Sequence, residues 1–163
     1  VGDTPGCFGE PDWSGVDEVR PGNYVFCALM QVEAGICRPE RIACAVACPV
    51  VAVQADAGRG VIHGGAVHLS KERLEGADGA WYGELMTMNR HGFGDIIREL
   101  RVTGLSQEHG IIEARSAAAA ALLASLAPGD LVLIAPVHSC LTCEQFGAYR
   151  TVDGATLPRM RRQ

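Results

Sequence analysis

Short apolar segments separated by glycine, proline and polar residues occupy most of the chain, a pattern typical of a domain built from β-strands. Pro49 interrupts the longest of these segments, which therefore predicts two strand pieces or one strand with a bulge, because proline donates no hydrogen bond to a sheet. The predicted strands cover residues 24–30, 42–53, 61–63, 66–69, 96–102, 110–114, 130–136 and 149–152.

One segment, residues 116–126, predicts a helix. Ser116 is a preferred N-cap residue, the alanine run that follows has the best helix propensity, and Pro128 with Gly129 ends the pattern. Residues 1–23 contain too many glycines and prolines for regular structure, and residues 74–95 resemble an irregular insertion. Strands joined by short turns predict a mainly β fold, a bent sheet or a β-barrel with one or two helices.

The charge balance narrows the possible partners. The 163 residues carry 14 basic and 19 acidic side chains, a formal net charge of −5, which predicts no nucleic-acid partner. No apolar stretch reaches the roughly 18 residues of a membrane helix, and no signal peptide is visible, so we expect a cytoplasmic protein with no membrane partner. The chain begins at Val1, and residues 1–6 read as a loop after a missing strand, which predicts a piece of a longer chain.

The seven cysteines are an odd number in a chain large enough to fold without disulfides, which favours reduced thiols. Cys44 and Cys48 lie in an apolar segment and are expected to be small core residues. Lys71 is the single lysine, beside thirteen arginines, and its polar neighbours predict an exposed position. Lys71 is therefore the one candidate in this chain for a Schiff-base lysine, and its expected exposure makes it a poor one.

The segment from His138 to Cys143 follows a predicted strand. In an extended segment His138 and Cys140 project to the same side, where an imidazole and a thiolate could bind one zinc ion in an open site. Cys140 and Cys143 offer a second pairing. The alternative is a buried cysteine pair beside a hydrogen-bonded histidine.

Three weaker candidates remain. Glu108 and His109 could form an acid-base pair, but neighbouring strand residues point to opposite faces, so residues 106–110 favour a turn. His63 and His68 are five residues apart, which also separates their faces in a regular strand. The loop of residues 2–6 could offer backbone N–H groups and a hydroxyl to a phosphate.

Five segments, taken in order, resemble the C-terminal half of the D-threonine aldolase and D-serine dehydratase type enzymes. These segments are residues 1–5 (VGDTP), 16–26 (VDEVRPGNYVF), 63–71 (HGGAVHLSK), 105–110 (LSQEHG) and 136–142 (PVHSCLT). The resemblance implies a pyridoxal-phosphate enzyme with two domains. An alanine-racemase-like N-terminal barrel would hold the cofactor lysine, and a mainly β C-terminal domain would follow it. Residues 1–22 would then be the end of that barrel and a connector, and residues 23–163 the β domain.

The resemblance also implies roles for individual residues. His138 and Cys140 match a metal pair, zinc in the dehydratases, that lies beside the cofactor and binds the departing substrate hydroxyl. Gly2, Asp3 and Thr4 match the loop that holds the cofactor phosphate, Asp3 through its backbone N–H because a carboxylate repels phosphate. Tyr24 matches a tyrosine near the cofactor. Lys71 does not match the cofactor lysine.

The resulting prediction is the C-terminal portion of a metal-assisted lyase that acts on a D-3-hydroxy amino acid, of D-serine dehydratase or D-threonine aldolase type. The cofactors would be pyridoxal phosphate and zinc, and the partners the missing barrel and, at full length, a second copy in a homodimer. The isolated chain is expected to be inactive. The alternatives are a free-standing, non-catalytic β module that binds a metal, a small ligand or a partner chain, and a racemase-like enzyme on the same scaffold.

Overall fold

The computed structural model describes residues 1–8, 12–89 and 92–160. Its central feature is a closed barrel of six antiparallel strands, β1 (Val46–Gln54), β2 (Arg59–Ile62), β5 (Gly83–Asn89), β6 (Gly92–Leu105), β7 (Gly110–Ala114) and β8 (Leu131–Pro136). Their order around the barrel is β1, β2, β7, β6, β5, β8, and β8 closes it against β1. Two short hairpins pair β3 (Leu74–Gly76) with β4 (Gly79–Trp81), and β9 (Ala148–Arg150) with β10 (Thr156–Pro158).

The barrel interior is filled by alternate residues of its strands. On β8, for example, Val132 and Ile134 are buried, whereas Leu131 is exposed at the barrel surface. Aliphatic side chains from every barrel strand join this core, and Leu69, which does not lie in a barrel strand, belongs to it as well. Because each strand has two neighbours, the barrel leaves no open sheet edge among these six strands.

Helix α4 (Ala117–Ala124) lies against the barrel and confirms the helix predicted from sequence. The Ser116 hydroxyl accepts a hydrogen bond from Ala119 N at 3.2 Å, as expected of an N-cap. Ala119 and Leu123 face the barrel core. The packing against β2 is close, since a Cβ built on Gly60 would lie 3.1 Å from a Leu123 methyl group.

A second apolar cluster lies outside the barrel interior and places helix α2 (Leu29–Glu33). Leu29 is fully buried and clusters with Met86, Ala135 and Val137. Met30 N also donates to the Val137 carbonyl at 3.2 Å. These contacts hold α2 beside the end of β8, where His138 follows.

The mainly β fold and its barrel form are confirmed. Helices are more numerous than the one or two expected, since the described residues include five helices. Four of them have six residues or fewer: α1 (Thr4–Phe8), α2, α3 (Ala66–Leu69) and α5 (Ser139–Glu144). No helix in residues 1–8, 12–89 and 92–160 is long and apolar enough to cross a membrane. The division at residues 22 and 23 stays a prediction, and residues 161–163 lie outside the described residues.

Two strand predictions are wrong. Residues 24–30 form a turn, in which Phe26 N and Cys27 N both donate to the Asn23 carbonyl, followed by the start of α2. Cys27 has a positive φ of 49°, which a strand residue does not adopt. Residues 66–69 form α3 rather than a strand, because Ala66 N and Val67 N donate to the carbonyls of Ser106 and Gln107 instead of to a strand neighbour.

The predicted irregular insertion at residues 74–95 is also wrong. Gly79, at φ 103°, lets the chain turn between β3 and β4. The insertion therefore contains β3, β4, β5 and the start of β6, although residues 90 and 91 lie outside the described residues. The predicted bulge is present in β1, where the register with β2 shifts between Val50 and Ala52.

Candidate functional site

The segment that carries His138 and Cys140 leaves the barrel at Pro136, the last residue of β8 to pair with β5. His138 still has extended backbone angles, φ −133° and ψ 113°, but it is the residue before α5, and Cys140 lies in the first turn of that helix. The expectation that both side chains project from one extended segment is therefore wrong. Without a strand neighbour the segment forms its own backbone bonds, and Thr142 N donates to the His138 carbonyl at 3.5 Å.

His138 and Cys140 nevertheless line the same cavity. It has a volume of about 280 Å³ and is bounded by four segments of the chain, namely the start of α1, the turn before Tyr24, α2 and the start of α5. Its lining residues are Gly2, Thr4, Pro5, Gly22, Asn23, Met30, Gln31, His138 and Cys140. The cavity thus brings the predicted metal pair together with Gly2 and Thr4, two of the residues predicted to hold the cofactor phosphate.

Asn23 connects the walls of the cavity. Its backbone N–H donates to the Thr4 hydroxyl at 3.0 Å, and its side-chain Nδ2 donates to Gln31 Oε1 at 2.7 Å. Its Oδ1 accepts from the Ser139 hydroxyl and, at 3.7 Å, from the Cys140 thiol. Because Asn23 is 4% exposed, these bonds are made away from bulk water and fix the relative positions of α1, α2 and α5.

The other two predicted cofactor residues do not line this cavity. Asp3 Oδ1 accepts a hydrogen bond from Gly6 N at 2.6 Å, so its carboxylate caps the short helix α1. Tyr24 is 46% exposed, and its ring packs against that of Phe8, with ring centroids 4.9 Å apart. The cofactor roles of Gly2, Asp3, Thr4 and Tyr24 stay predictions.

The thiols near the cavity differ in their surroundings. Burial raises the pKa of Cys140, and the neighbouring Cys143 raises it further. Cys143 accepts a hydrogen bond from the Cys44 thiol, which lowers the pKa of Cys143 and raises that of Cys44. Cys143 is therefore paired with a thiol from the segment before β1. All seven cysteines are free, in agreement with the predicted reduced state.

The donor set suits a metal ion bound in an open site. A neutral imidazole and a thiolate favour zinc over magnesium or manganese, because soft ligands select the softer metal. Within the described ranges no three His, Cys, Asp or Glu side chains converge on one metal position. His138 and Cys140 would thus supply two ligands and leave other coordination positions to water or substrate, as catalytic sites require.

Sequence reasoning missed Gln31 and the connecting role of Asn23. Gln31 is a buried polar residue in an otherwise apolar segment, a signal that could have marked it. The sequence also predicted that His63 and His68 would point to opposite faces of a strand. This prediction is wrong because α3 replaces the expected strand. The two rings lie 4.8 Å apart between centroids. Residues 106–109 form the predicted turn between β6 and β7.

Comparisons with known proteins identify the family. A family model described as "Putative serine dehydratase domain" matches residues 43–152. The chain belongs to this family. The matched range contains His138 and Cys140, whereas the other cavity residues all precede it.

Among relatives of this serine dehydratase domain, D-threo-3-hydroxyaspartate dehydratase of Delftia sp. is 34% identical over 160 residues, which are 95% of this chain and 41% of that protein. The chain spans about two fifths of the length of the curated relatives it matches. An alanine racemase-like protein from Idiomarina loihiensis has a TM-score of 0.79 at 29% identity, over 98% of this chain and 42% of its own.

Two solved structures of D-threo-3-hydroxyaspartate dehydratase carry alanine substitutions. One replaces a histidine and the other a cysteine two residues later, and the cysteine variant is described as the metal-free form. Their TM-scores are 0.81 and 0.79 at 30% and 31% identity, and each match covers 100% of this chain but 43% and 44% of the solved chain. The histidine and cysteine replaced in these two variants have the same spacing as His138 and Cys140.

Proposed function

We propose that this chain is the metal-binding portion of a pyridoxal-phosphate lyase that removes the hydroxyl of a D-3-hydroxy amino acid. One observation carries the proposal: a single cavity is lined by His138 and Cys140 together with Gly2 and Thr4. The dehydratase relative and its histidine and cysteine variants support the same reading. Zinc is the metal that the donor set favours.

The residues fit the two groups that this chemistry needs. When bound, the metal would act as a Lewis acid on the substrate's β-hydroxyl, and pyridoxal phosphate would be the electron sink for the bond broken at the α-carbon. His138 and Cys140 hold the metal through the imidazole and the thiolate. Asn23 orients the segment that carries them, as residues behind metal ligands do.

Thr4 and Gly2 suit a phosphate group. The Thr4 hydroxyl accepts from Asn23 N, so its own proton remains available to a phosphate oxygen. Gly2 has no side chain, and a Cβ built there would meet nothing closer than 4.0 Å, so a ligand can approach the backbone. Asp3 would contribute its backbone N–H, and Tyr24 would lie beside the cofactor.

The cofactor lysine is proposed to come from outside this chain. Lys71 is exposed and follows α3, whereas the described lining of the cavity contains no lysine. Since the chain spans about two fifths of its curated relatives, an N-terminal alanine-racemase-like barrel would supply the lysine. Residues 1–22 would be its end and connector, residues 23–163 the β domain, and the complete enzyme a homodimer.

The test uses the complete protein and its His138→Ala and Cys140→Ala variants. Bound zinc is counted by native mass spectrometry, and release of the keto acid is measured from D-serine and D-threo-3-hydroxyaspartate. Each variant should lose both zinc and dehydratase activity. Cys143→Ser is the matched control, because this thiol lies three residues from Cys140 and outside the cavity lining, and it should keep both.

Full dehydratase activity in either alanine variant would refute the metal assignment. Bound zinc without activity toward any D-3-hydroxy amino acid would favour the non-catalytic module instead. Interconversion of amino-acid enantiomers without loss of hydroxyl would favour the racemase-like reaction.

A further inference from the structure

Three histidines from separate elements meet at one place on the barrel. His63 follows β2, His68 lies in α3, and His109 lies in the turn between β6 and β7. The ring of His63 is central, with its centroid 4.8 Å from that of His68 and 5.8 Å from that of His109. None of the three lines the cavity of His138 and Cys140.

The backbone holds these elements together closely. Ala66 N donates to Ser106 O at 2.9 Å and Val67 N to Gln107 O at 3.1 Å, so the start of α3 sits on the β6–β7 turn. A Cβ on Gly65 would lie 2.5 Å from His109 N, which leaves no room for any side chain there. The spacing of the histidines is therefore imposed by packed backbone.

We propose that His63, His68 and His109 form a second metal site, which binds a divalent transition-metal ion such as Zn²⁺. Imidazole nitrogens bind zinc at about 2.0–2.1 Å, which puts each ring centroid about 3 Å from the ion and two tetrahedral ligands about 5 Å apart between centroids. The measured 4.8 and 5.8 Å fall on either side of that spacing. Imidazole is a good ligand for zinc, copper and nickel ions.

The surroundings of His68 favour its neutral form. Burial lowers the pKa of His68, and the neighbouring His63 and His109 lower it further, whereas Glu108 raises it. Neutral imidazole is the form that binds metal. The exposed Glu108 carboxylate acts on His68 electrostatically, and the same negative charge would favour a bound cation.

Binding requires a local adjustment. In the described residues three donor atoms do not yet converge on one point. His63 and His109 are exposed and free to turn about their side-chain bonds. His68 Nδ1 accepts from Gly65 N at 3.3 Å, a long hydrogen bond that one metal bond can replace.

The test begins with the His138→Ala/Cys140→Ala double variant of the complete protein, so that it does not depend on the proposed lyase site. Zn²⁺ is titrated into the metal-free variant by calorimetry, and Co²⁺ is used as a spectroscopic probe. One equivalent of Zn²⁺ should bind, and the cobalt spectrum should lack the thiolate charge-transfer band of a cysteine-ligated site.

Adding His63→Ala to this variant should abolish binding of this equivalent of Zn²⁺, since His63 is the central ligand. Adding His68→Ala or His109→Ala should weaken it by at least the 10–100-fold that loss of an outer-shell partner costs. Lys71→Ala, a change at a neighbouring exposed residue, is the control and should leave binding unchanged. No bound equivalent in the double variant, or one that persists after His63→Ala, would overturn the proposal.

Discussion

Asn23→Ala tests whether one buried amide holds the candidate active site together. The substitution leaves the backbone N–H that donates to Thr4 in place, and it removes only the side-chain amide. Two good hydrogen bonds are lost, to Gln31 and from Ser139, together with the longer contact from the Cys140 thiol. The lost amide belongs to the residue that links α2 to α5.

The cost follows from what the substitution leaves behind. Gln31 and Ser139 are 4% and 0% exposed, so water does not replace the missing partner without rearrangement. A buried polar group left unpaired costs about 1–3 kcal/mol, so two such groups predict a loss of about 2–6 kcal/mol in unfolding free energy. Because Asn23 also positions Cys140, zinc affinity should fall by about 10–100-fold.

Urea unfolding and competitive zinc titration measure the two effects in one protein. Ser116→Ala serves as a control, because loss of the α4 N-cap costs about 1 kcal/mol without touching the cavity, so zinc affinity should stay at the wild-type value. Asn23→Ala with wild-type zinc affinity, or with stability within about 0.5 kcal/mol of wild type, would refute this account of Asn23.

Two further predictions concern the barrel. Gly65→Ala should lower the free energy of unfolding in urea by at least about 3 kcal/mol, because its Cβ would meet backbone atoms that cannot turn away. Gly147→Ala is the control and should be close to neutral, because a Cβ there would meet nothing within 4 Å. Equal effects of the two substitutions would contradict the close approach at Gly65. Burial raises the pKa of Glu84 despite Arg98 and Arg101, so the folded state holds this proton more tightly and stability should decrease as pH rises above the ordinary carboxyl value. Glu84→Gln should remove that decrease, and an unchanged pH profile of unfolding would disprove the assignment.

The elements predicted correctly are those with a signal in their own residues. Ser116 and the alanine run specify α4, and the apolar residues of β8 alternate between the barrel core and its surface. The short helices α3 and α5 have no such signal. α3 forms because Gly65 lets the chain approach Ser106 and Gln107, a contact between segments about forty residues apart, which no local pattern encodes.

The candidate site shows the same division. The sequence identified His138 and Cys140 by their spacing and Thr4 as part of a loop that could bind phosphate, whereas Tyr24 came only through a family resemblance. It did not show that Asn23 bonds to Ser139, 116 residues away. Nor did it join the three histidines, because their meeting depends on how β2 pairs with β7 and on where α3 begins.

The lining of the cavity is divided between the range that the family model matches and the segment before it. The family match covers residues 43–152 and supplies His138 and Cys140, whereas Gly2, Thr4, Asn23 and Gln31 all lie ahead of it. Met30 N and Asn23 fix that segment to the start of α5 through the Val137 carbonyl and the Ser139 hydroxyl. Substitutions in residues 1–31 can therefore change the lining of the cavity while His138 and Cys140 stay the same.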